Sequence, residues 1–309
     1  MSQEPIIKIK NLTKTYGSEE ILGGISFEVN KGEIFCLLGP DGSGKTNIIE
    51  ILVGLRKPTS GEITIFDFDV ASKLDLREIK KITGVLLREF RTHDNLTVKE
   101  NILFWGKMYD VMLDINEILE IFHLKENENV RYKRLPDKIK RKLNLAIAFV
   151  NNPDIVLLDE PSFGLDQFSR KEIWDILKEF KTRGKTIVVT TNHAIESEVL
   201  GDRVAIMFRG SIKDIGTPVE LIDRYSGGNK IIIRFNNSSE KQKAIKSLQS
   251  ECPIELIDDE IVISSEEVTL LEILAKLDKL KIRYSDVVTQ NPTLNDVFIT
   301  LTGEKLVNH

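Results

Sequence analysis

Three stretches carry residue types whose spacing could do chemistry together. GPDGSGKT, Gly39 to Thr46, follows the apolar run EIFCLL and precedes NIIEIL. Glycines in a strand-to-helix turn free successive backbone N–H groups to point inward around phosphate oxygens, and the helix adds the positive end of its dipole. In that context Gly39, Pro40, Asp41, Gly42, Ser43 and Gly44 form the cradle, Lys45 reaches the β- and γ-phosphates, and the Thr46 hydroxyl suits Mg²⁺. Asn47 follows with an amide able to donate to phosphate. The second stretch is IVLLDEP, Ile155 to Pro161. Its apolar residues predict a buried strand that delivers Asp159 to Mg²⁺ through water and Glu160 to orient or deprotonate an attacking water. An Asp-Glu pair at a strand end means little alone; beside a complete phosphate loop it predicts a nucleoside triphosphatase. The third stretch, RLPDKIKRKLNLA, residues 134 to 146, opens a basic helix on Pro136 and Asp137.

These residues need a frame that holds strand ends together. EIFCLL, GVLL, IVLLD, TIVVT and RVAIMF are unbroken apolar runs of strand length, as expected for strands covered on both faces. Helical patterns lie between them, among them TNIIEILVGL and KEIWDILKEFKTRG, the latter closed by Gly184. Alternation of this kind predicts a mostly parallel α/β sheet. IIKIKNL and ISFEVNKG read as two further short strands, and residues 94–150 as a helical insertion. RYSGGNK marks a break at Gly227 and Gly228, after which strands and helices follow in the order β-α-β-β-α-β. The expected organisation is an α/β phosphate-loop domain over residues 1–225 and a small α+β ferredoxin-like domain over 230–309.

Composition narrows the partners. With 43 Lys and Arg against 48 Asp and Glu the net charge is −5, which offers no global field for holding nucleic acid. The cluster Arg131, Lys133, Arg134, Lys138, Lys140, Arg141 and Lys142 carries no interleaved aromatic beyond Tyr132 and reads as a solvated helix face. Cys36, inside an apolar run, reads as a small buried hydrophobe, and the two cysteines form no CxxC pair. No apolar run approaches the roughly 20 residues that span a bilayer. The N-terminus lacks the pattern of a secretion signal.

Taken together, the motifs resemble those of the ATP-binding cassette (ABC) family, and the likeness extends over essentially the whole chain. LTKTYG resembles the family's aromatic loop, which implies that Tyr16 stacks on adenine. LDEPSFGLD resembles the family's D-loop, ending at Asp166, which touches the opposite subunit. VVTTNHAIESE places His193 where the family keeps the switch histidine that contacts the γ-phosphate. The ending NPTLNDVFITLTG is similar to that of ATPase subunits of two-component exporters of the daunorubicin-resistance kind. The resemblance therefore implies ATP and Mg²⁺ as ligands and an integral membrane permease as partner. It implies a cytoplasmic place on the inner face of the membrane, reached through the permease.

Two segments depart from that pattern. The family's signature is LSGGQ or LSGGM; here the matching positions read LPDKI, Leu135 to Ile139. Pro136 has neither hydroxyl nor N–H for a partner's nucleotide. Asp137 answers the helix dipole at the place that would attract phosphate, and Lys138 offsets part of its charge. Arg88 stands where the family has glutamine and offers no acceptor for Mg²⁺. Glu89 could substitute for it, or Arg88 could contact phosphate directly. The damaged signature favours a heterodimer with an intact ATPase subunit over a homodimer, with low activity for the isolated chain. A soluble non-transport ABC ATPase and a binding-only regulatory cassette are the alternatives.

Overall fold

A computed structural model describes residues 4–109, 113–226, 228–249, 252–257, 260–264 and 269–306. The chain divides into two compact units, one running to Pro218 and one from Val219 to Lys305.

The first unit opens with β1 (Pro5–Tyr16) and β2 (Glu19–Asn30), then β3 (Ile34–Leu38), α1 (Lys45–Leu52), β4 (Ser60–Ile65), β5 (Phe68–Asp69), α2 (Asp75–Ile82) and β6 (Thr83–Leu86). Next come α3 (Val98–Gly106), α4 (Ile115–Ile121) and α5 (Asp137–Ala148), which with two 3-10 turns make up the expected helical stretch. The unit ends with β7 (Ile155–Asp159), α6 (Gln167–Thr182), β8 (Thr186–Thr191), α7 (Ala194–Leu200), β9 (Arg203–Phe208) and β10 (Ser211–Gly216). The apolar runs assemble in the order β10-β9-β3-β8-β7-β6, parallel from β9 to β6 with β10 antiparallel at the edge.

IIKIKNL and ISFEVNKG do not join that sheet. The first lies within one long strand and the second forms the end of another, in a second, antiparallel sheet ordered β2-β1-β4-β5. The alternation visible in them belongs to a sheet with one buried face. Ile7, Ile9, Val29 and Ile63 bury that face in one core with Phe35 and Leu37 of β3 and Ile48, Ile49, Ile51 and Leu52 of α1. Phe27 of β2 stacks on Phe35 at a centroid distance of 5.2 Å. The helix that follows the phosphate loop is therefore apolar on most sides because both sheets share a core with it. Its N-terminus is fixed by packing rather than by propensity. Phe122, Phe149 and Phe180 do the same for the helical stretch, with the rings of Phe149 and Phe180 only 4.0 Å apart.

The second unit contains α8 (Pro218–Tyr225), β11 (Lys230–Arg234), α9 (Ser238–Leu248), β12 (Ile254–Ile257), β13 (Glu260–Ser264), α10 (Leu270–Lys279), β14 (Asp286–Gln290) and α11 (Leu294–Thr302). Its sheet runs β12-β13-β11-β14, antiparallel throughout, the ferredoxin-like order. Ile231, Ile233, Ala244, Leu248, Ile273 and Leu277 form its core. The division between units falls ahead of the glycine pair, because α8 packs with the second unit; Gly227 itself lies outside the described residues. Among the described residues no helix is long and apolar enough to cross a membrane.

Candidate active site

The carboxyl ends of β3, β7 and β8 meet at one edge of the parallel sheet, where open α/β sheets take their ligands. The loop from Gly39 to Thr46 leaves β3 there, with the Gly39 N–H bonded to the Thr191 carbonyl at 3.1 Å. A Cβ on Gly39 would come within 2.4 Å of the Met207 carbonyl oxygen. Gly44, at φ +100, would press one against Leu22. Glycine is required at both, for room and for the left-handed turn into α1.

Lys45 is buried, and its ammonium donates to the carbonyls of Gly39 at 2.7 Å and Pro40 at 2.8 Å. Burial pulls its pKa down while the Glu160, Asp41 and Asp159 carboxylates pull it back up. The Thr46 hydroxyl donates to Asp159 at 3.0 Å. The register of β7 with β8 pairs Asp159 with Thr190, whose hydroxyl donates to Asp159 at 2.5 Å.

Glu160 has a left-handed backbone, φ +48, stabilised by its N–H bonding to the Thr190 carbonyl at 3.1 Å. A non-glycine residue held there stores on the order of 1 kcal/mol or more and is a recurrent mark of a functional position. The turn aims the carboxylate into the site with the residue only 4% exposed, and its Oε2 accepts no hydrogen bond. Arg88 Nε lies 3.3 Å from that oxygen, an ion contact off the hydrogen-bonding axis. Burial raises the Glu160 pKa, with Arg88 and then Lys45 opposing the rise. Ser43 Oγ, in the phosphate loop, is likewise buried without a partner. Each such atom costs about 1–3 kcal/mol until something fills its valence. Hydroxyl and carboxylate oxygens, a buried ammonium and unpaired polar atoms around a glycine loop fit a phosphate chain with Mg²⁺.

The remaining expected residues divide in two. Tyr16, at the end of β1, is 41% exposed and donates to the Asn47 side-chain oxygen at 3.0 Å, which ties the aromatic loop to the start of α1. His193 is half-buried at the N-cap of α7, its N–H bonded to Thr191 Oγ1 at 3.0 Å. Asp166 is exposed and caps α6 through the Ser169 N–H at 2.9 Å, a bond that lowers its pKa. Pro136 is the N-cap of α5, with Asp137 and Lys138 exposed beyond it. Asp137 bonds Lys140 at 3.0 Å. Glu89 is exposed and lines a cavity of about 330 Å³ that Thr46, Glu50 and Asp159 also border.

One expectation fails outright. Arg141 and Lys142 are buried, not part of a solvated face. Lys142 pairs with Glu172 at 2.8 Å. The Arg141 guanidinium donates to the carbonyls of Pro161 at 2.8 Å, Glu160 at 2.5 Å, Asp159 at 3.2 Å and Arg88 at 3.2 Å. It therefore fixes the backbone carrying both site acids. The helix period carries it inward: residues 141 to 148 are buried while Lys138 is exposed. Reading the basic run as charge alone hid it.

A family profile described as ABC transporter matches residues 22–163. The linearmycin resistance ATP-binding protein of Bacillus subtilis is 31% identical over 97% of this chain and 99% of its own length. The chain belongs to the ABC transporter ATP-binding family. The cassette is also 32% identical, over 97% of its length and 94% of the relative's, to the Nod factor export ATP-binding protein I of Rhizobium etli. A solved ATP-binding cassette, a dimer in a post-hydrolysis state bound to ADP and Pi, superposes with a TM-score of 0.62 at 28% identity, covering 68% of this chain and 98% of that one. The cassette is an ATPase of the P-loop fold.

Proposed function

We propose that the cassette is the ATP-hydrolysing subunit of a multicomponent exporter, in which two ATPase subunits close on ATP and drive a separate membrane permease. One observation carries this reading: full-length relatives of the same size are the ATP-binding proteins of a resistance system and an export system.

In this reading the phosphate loop and Lys45 hold the triphosphate, Thr46 and Asp159 hold Mg²⁺, and Tyr16 stacks on adenine beside Asn47. Mg²⁺, held there by Thr46 and Asp159, would neutralise charge on the phosphates. Glu160 takes a proton from the attacking water as its oxygen bonds to the γ-phosphorus and the bond to the β-phosphate oxygen breaks. His193 contacts the γ-phosphate, and Asp166 ends the loop that meets the opposite subunit. That subunit is a different ATPase, because Pro136 presents neither hydroxyl nor N–H to its nucleotide and Asp137 sets a negative charge at the helix start that would receive the phosphate. Hydrolysis then belongs to the composite site built on Glu160, and the other site binds only. A cavity of about 440 Å³ bordered by Leu87, Phe90, Trp105 and Tyr109 supports the permease as partner, being apolar and next to the loop that carries Arg88. The subunit thus sits on the cytoplasmic face of the membrane. The second unit is an accessory domain.

Co-purification of the cassette with a permease and a second cassette subunit, followed by ATPase assay in lipid vesicles, tests this. The complete complex should turn over ATP at least tenfold faster than the isolated chain. Robust dimer-dependent turnover by the isolated chain would overturn the heterodimer, and persistent solubility beside the permease would overturn the exporter.

A further inference from the structure

Arg88 is held from three directions. Its guanidinium lies 3.3 Å from Asp41 Oδ1 in the phosphate loop and 3.3 Å from Glu160 Oε2. The same group stacks over Phe163, 4.4 Å from the ring centroid. Its carbonyl is gripped by the buried Arg141 at 3.2 Å. A side chain pinned at the backbone, on its flat face and by two carboxylates is not a loose surface arginine. Asp41 and Glu160 place two negative charges against the loop that must receive a triphosphate, and like charges at that range oppose binding. Lys45 lies within the loop and is engaged with its carbonyls. Arg88 is the cation that bridges the two acids from the open side.

We propose that Arg88 is a positioning residue for nucleotide entry: bridging Asp41 and Glu160, it supplies the counter-charge that lets a phosphate loop carrying an aspartate accept a triphosphate. The departure from glutamine at position 88 and the acid at position 41 are then one compensated pair. The inference rests on the nucleotide reading of Gly39 to Thr46 and adds a partner role for Arg88.

Equilibrium binding of the Mg²⁺ complexes of a non-hydrolysable ATP analogue and of ADP to the full chain tests it by calorimetry. Arg88→Gln should weaken the ATP analogue about tenfold and ADP less, because the repulsion grows with phosphate charge. Arg88→Lys should keep most of the affinity, and the pair Asp41→Asn with Arg88→Gln should recover to within about threefold of the parent. Asp41→Asn alone should bind at least as tightly as the parent, which keeps the test open if Arg88→Gln misfolds. Unchanged or tighter binding by folded Arg88→Gln, or no recovery in the double variant, overturns the proposal. So does weaker binding by Asp41→Asn. If the parent itself binds no Mg-nucleotide, the nucleotide reading fails instead.

Discussion

The two ends of the nucleotide machinery in this chain are built on opposite principles. Around the phosphate loop, Ser43 Oγ and Glu160 Oε2 are buried without a hydrogen-bond partner, the latter meeting only the Arg88 ion contact, and Glu160 stands on a left-handed backbone. At the start of α5 the charged side chains pair locally or face solvent, and the segment is exposed rather than buried. The Pro136 carbonyl accepts from the N–H groups of Ile139 and Lys140, and Asp137, its side chain 95% exposed, pairs with Lys140. The first arrangement is unstable until a ligand arrives; the second is a good helix start that gains nothing from phosphate. The difference teaches how to tell a prepared site from a repaired one: by what is left unpaired, not by which motif the segment descends from.

The sharpest way to break the comparison is Lys45→Ala. Removing the buried ammonium should weaken Mg-ATP binding a hundredfold or more, about 3 kcal/mol or above, as measured by calorimetry. A loss under threefold would mean the phosphate-loop end is not the prepared one. Next is Arg141, the tie between the two ends, since it sits on α5 and holds the backbone of Asp159, Glu160 and Arg88. Arg141→Ala should cost about 3 kcal/mol in urea unfolding, because it strands buried carbonyls. Arg141→Lys, with fewer donors in no fixed fork, should recover less than half of that.

Restoring the signature probes the other end. In a Glu160→Gln background that slows hydrolysis, Pro136→Ser, Asp137→Gly and Lys138→Gly together should let ATP drive self-association on a sizing column. The parent should stay monomeric under the same conditions. A gain of tenfold in dimer affinity, about 1.4 kcal/mol, is the least that supports the comparison. Dimers of equal strength in both would show that LPDKI closes over nucleotide as it stands.

How much of this was legible depended on whether the signal was local. GPDGSGKT and IVLLDEP carry their chemistry in consecutive residues, and the fold brings Thr46 and Asp159 together as the motifs imply. The second sheet was hidden because its pairings are distant, such as Ile7 with Ile65, and alternation says which face is buried without naming the partner strand. Arg141 was hidden by its neighbours: in a cluster of seven basic residues, nothing in the charge pattern distinguishes Arg141 and Lys142, which are buried, from the rest. The domain break was placed on glycines, whereas packing places it at Pro218. Arg88 was visible as a departure, but its three contacts come from residues 47, 72 and 75 positions away, beyond the reach of any local pattern.

The smallest effect tests the phosphate-loop end without any ligand. Glu160 is more readily protonated in the folded chain than in the unfolded one, since burial outweighs the pull of Arg88 and Lys45. For an acid whose folded pKa is raised, the unfolded state carries fewer protons through that interval, so folding loses stability as pH rises through the ordinary glutamate range. Above the raised value the cost is fully present, and at neutral pH the nucleotide-free protein bears it. Glu160→Gln keeps the shape and removes the charge. It should therefore raise the Tm of the nucleotide-free chain at pH 7 by on the order of 2 °C. The gain should shrink as pH falls below the ordinary glutamate range, where the parent's carboxyl is itself neutral. A lower Tm at pH 7, measured by calorimetry, would mean that the Arg88 contact stabilises Glu160 more than burial penalises it. The two ends of the machinery would then be equally satisfied, and the comparison would fail where it is most specific.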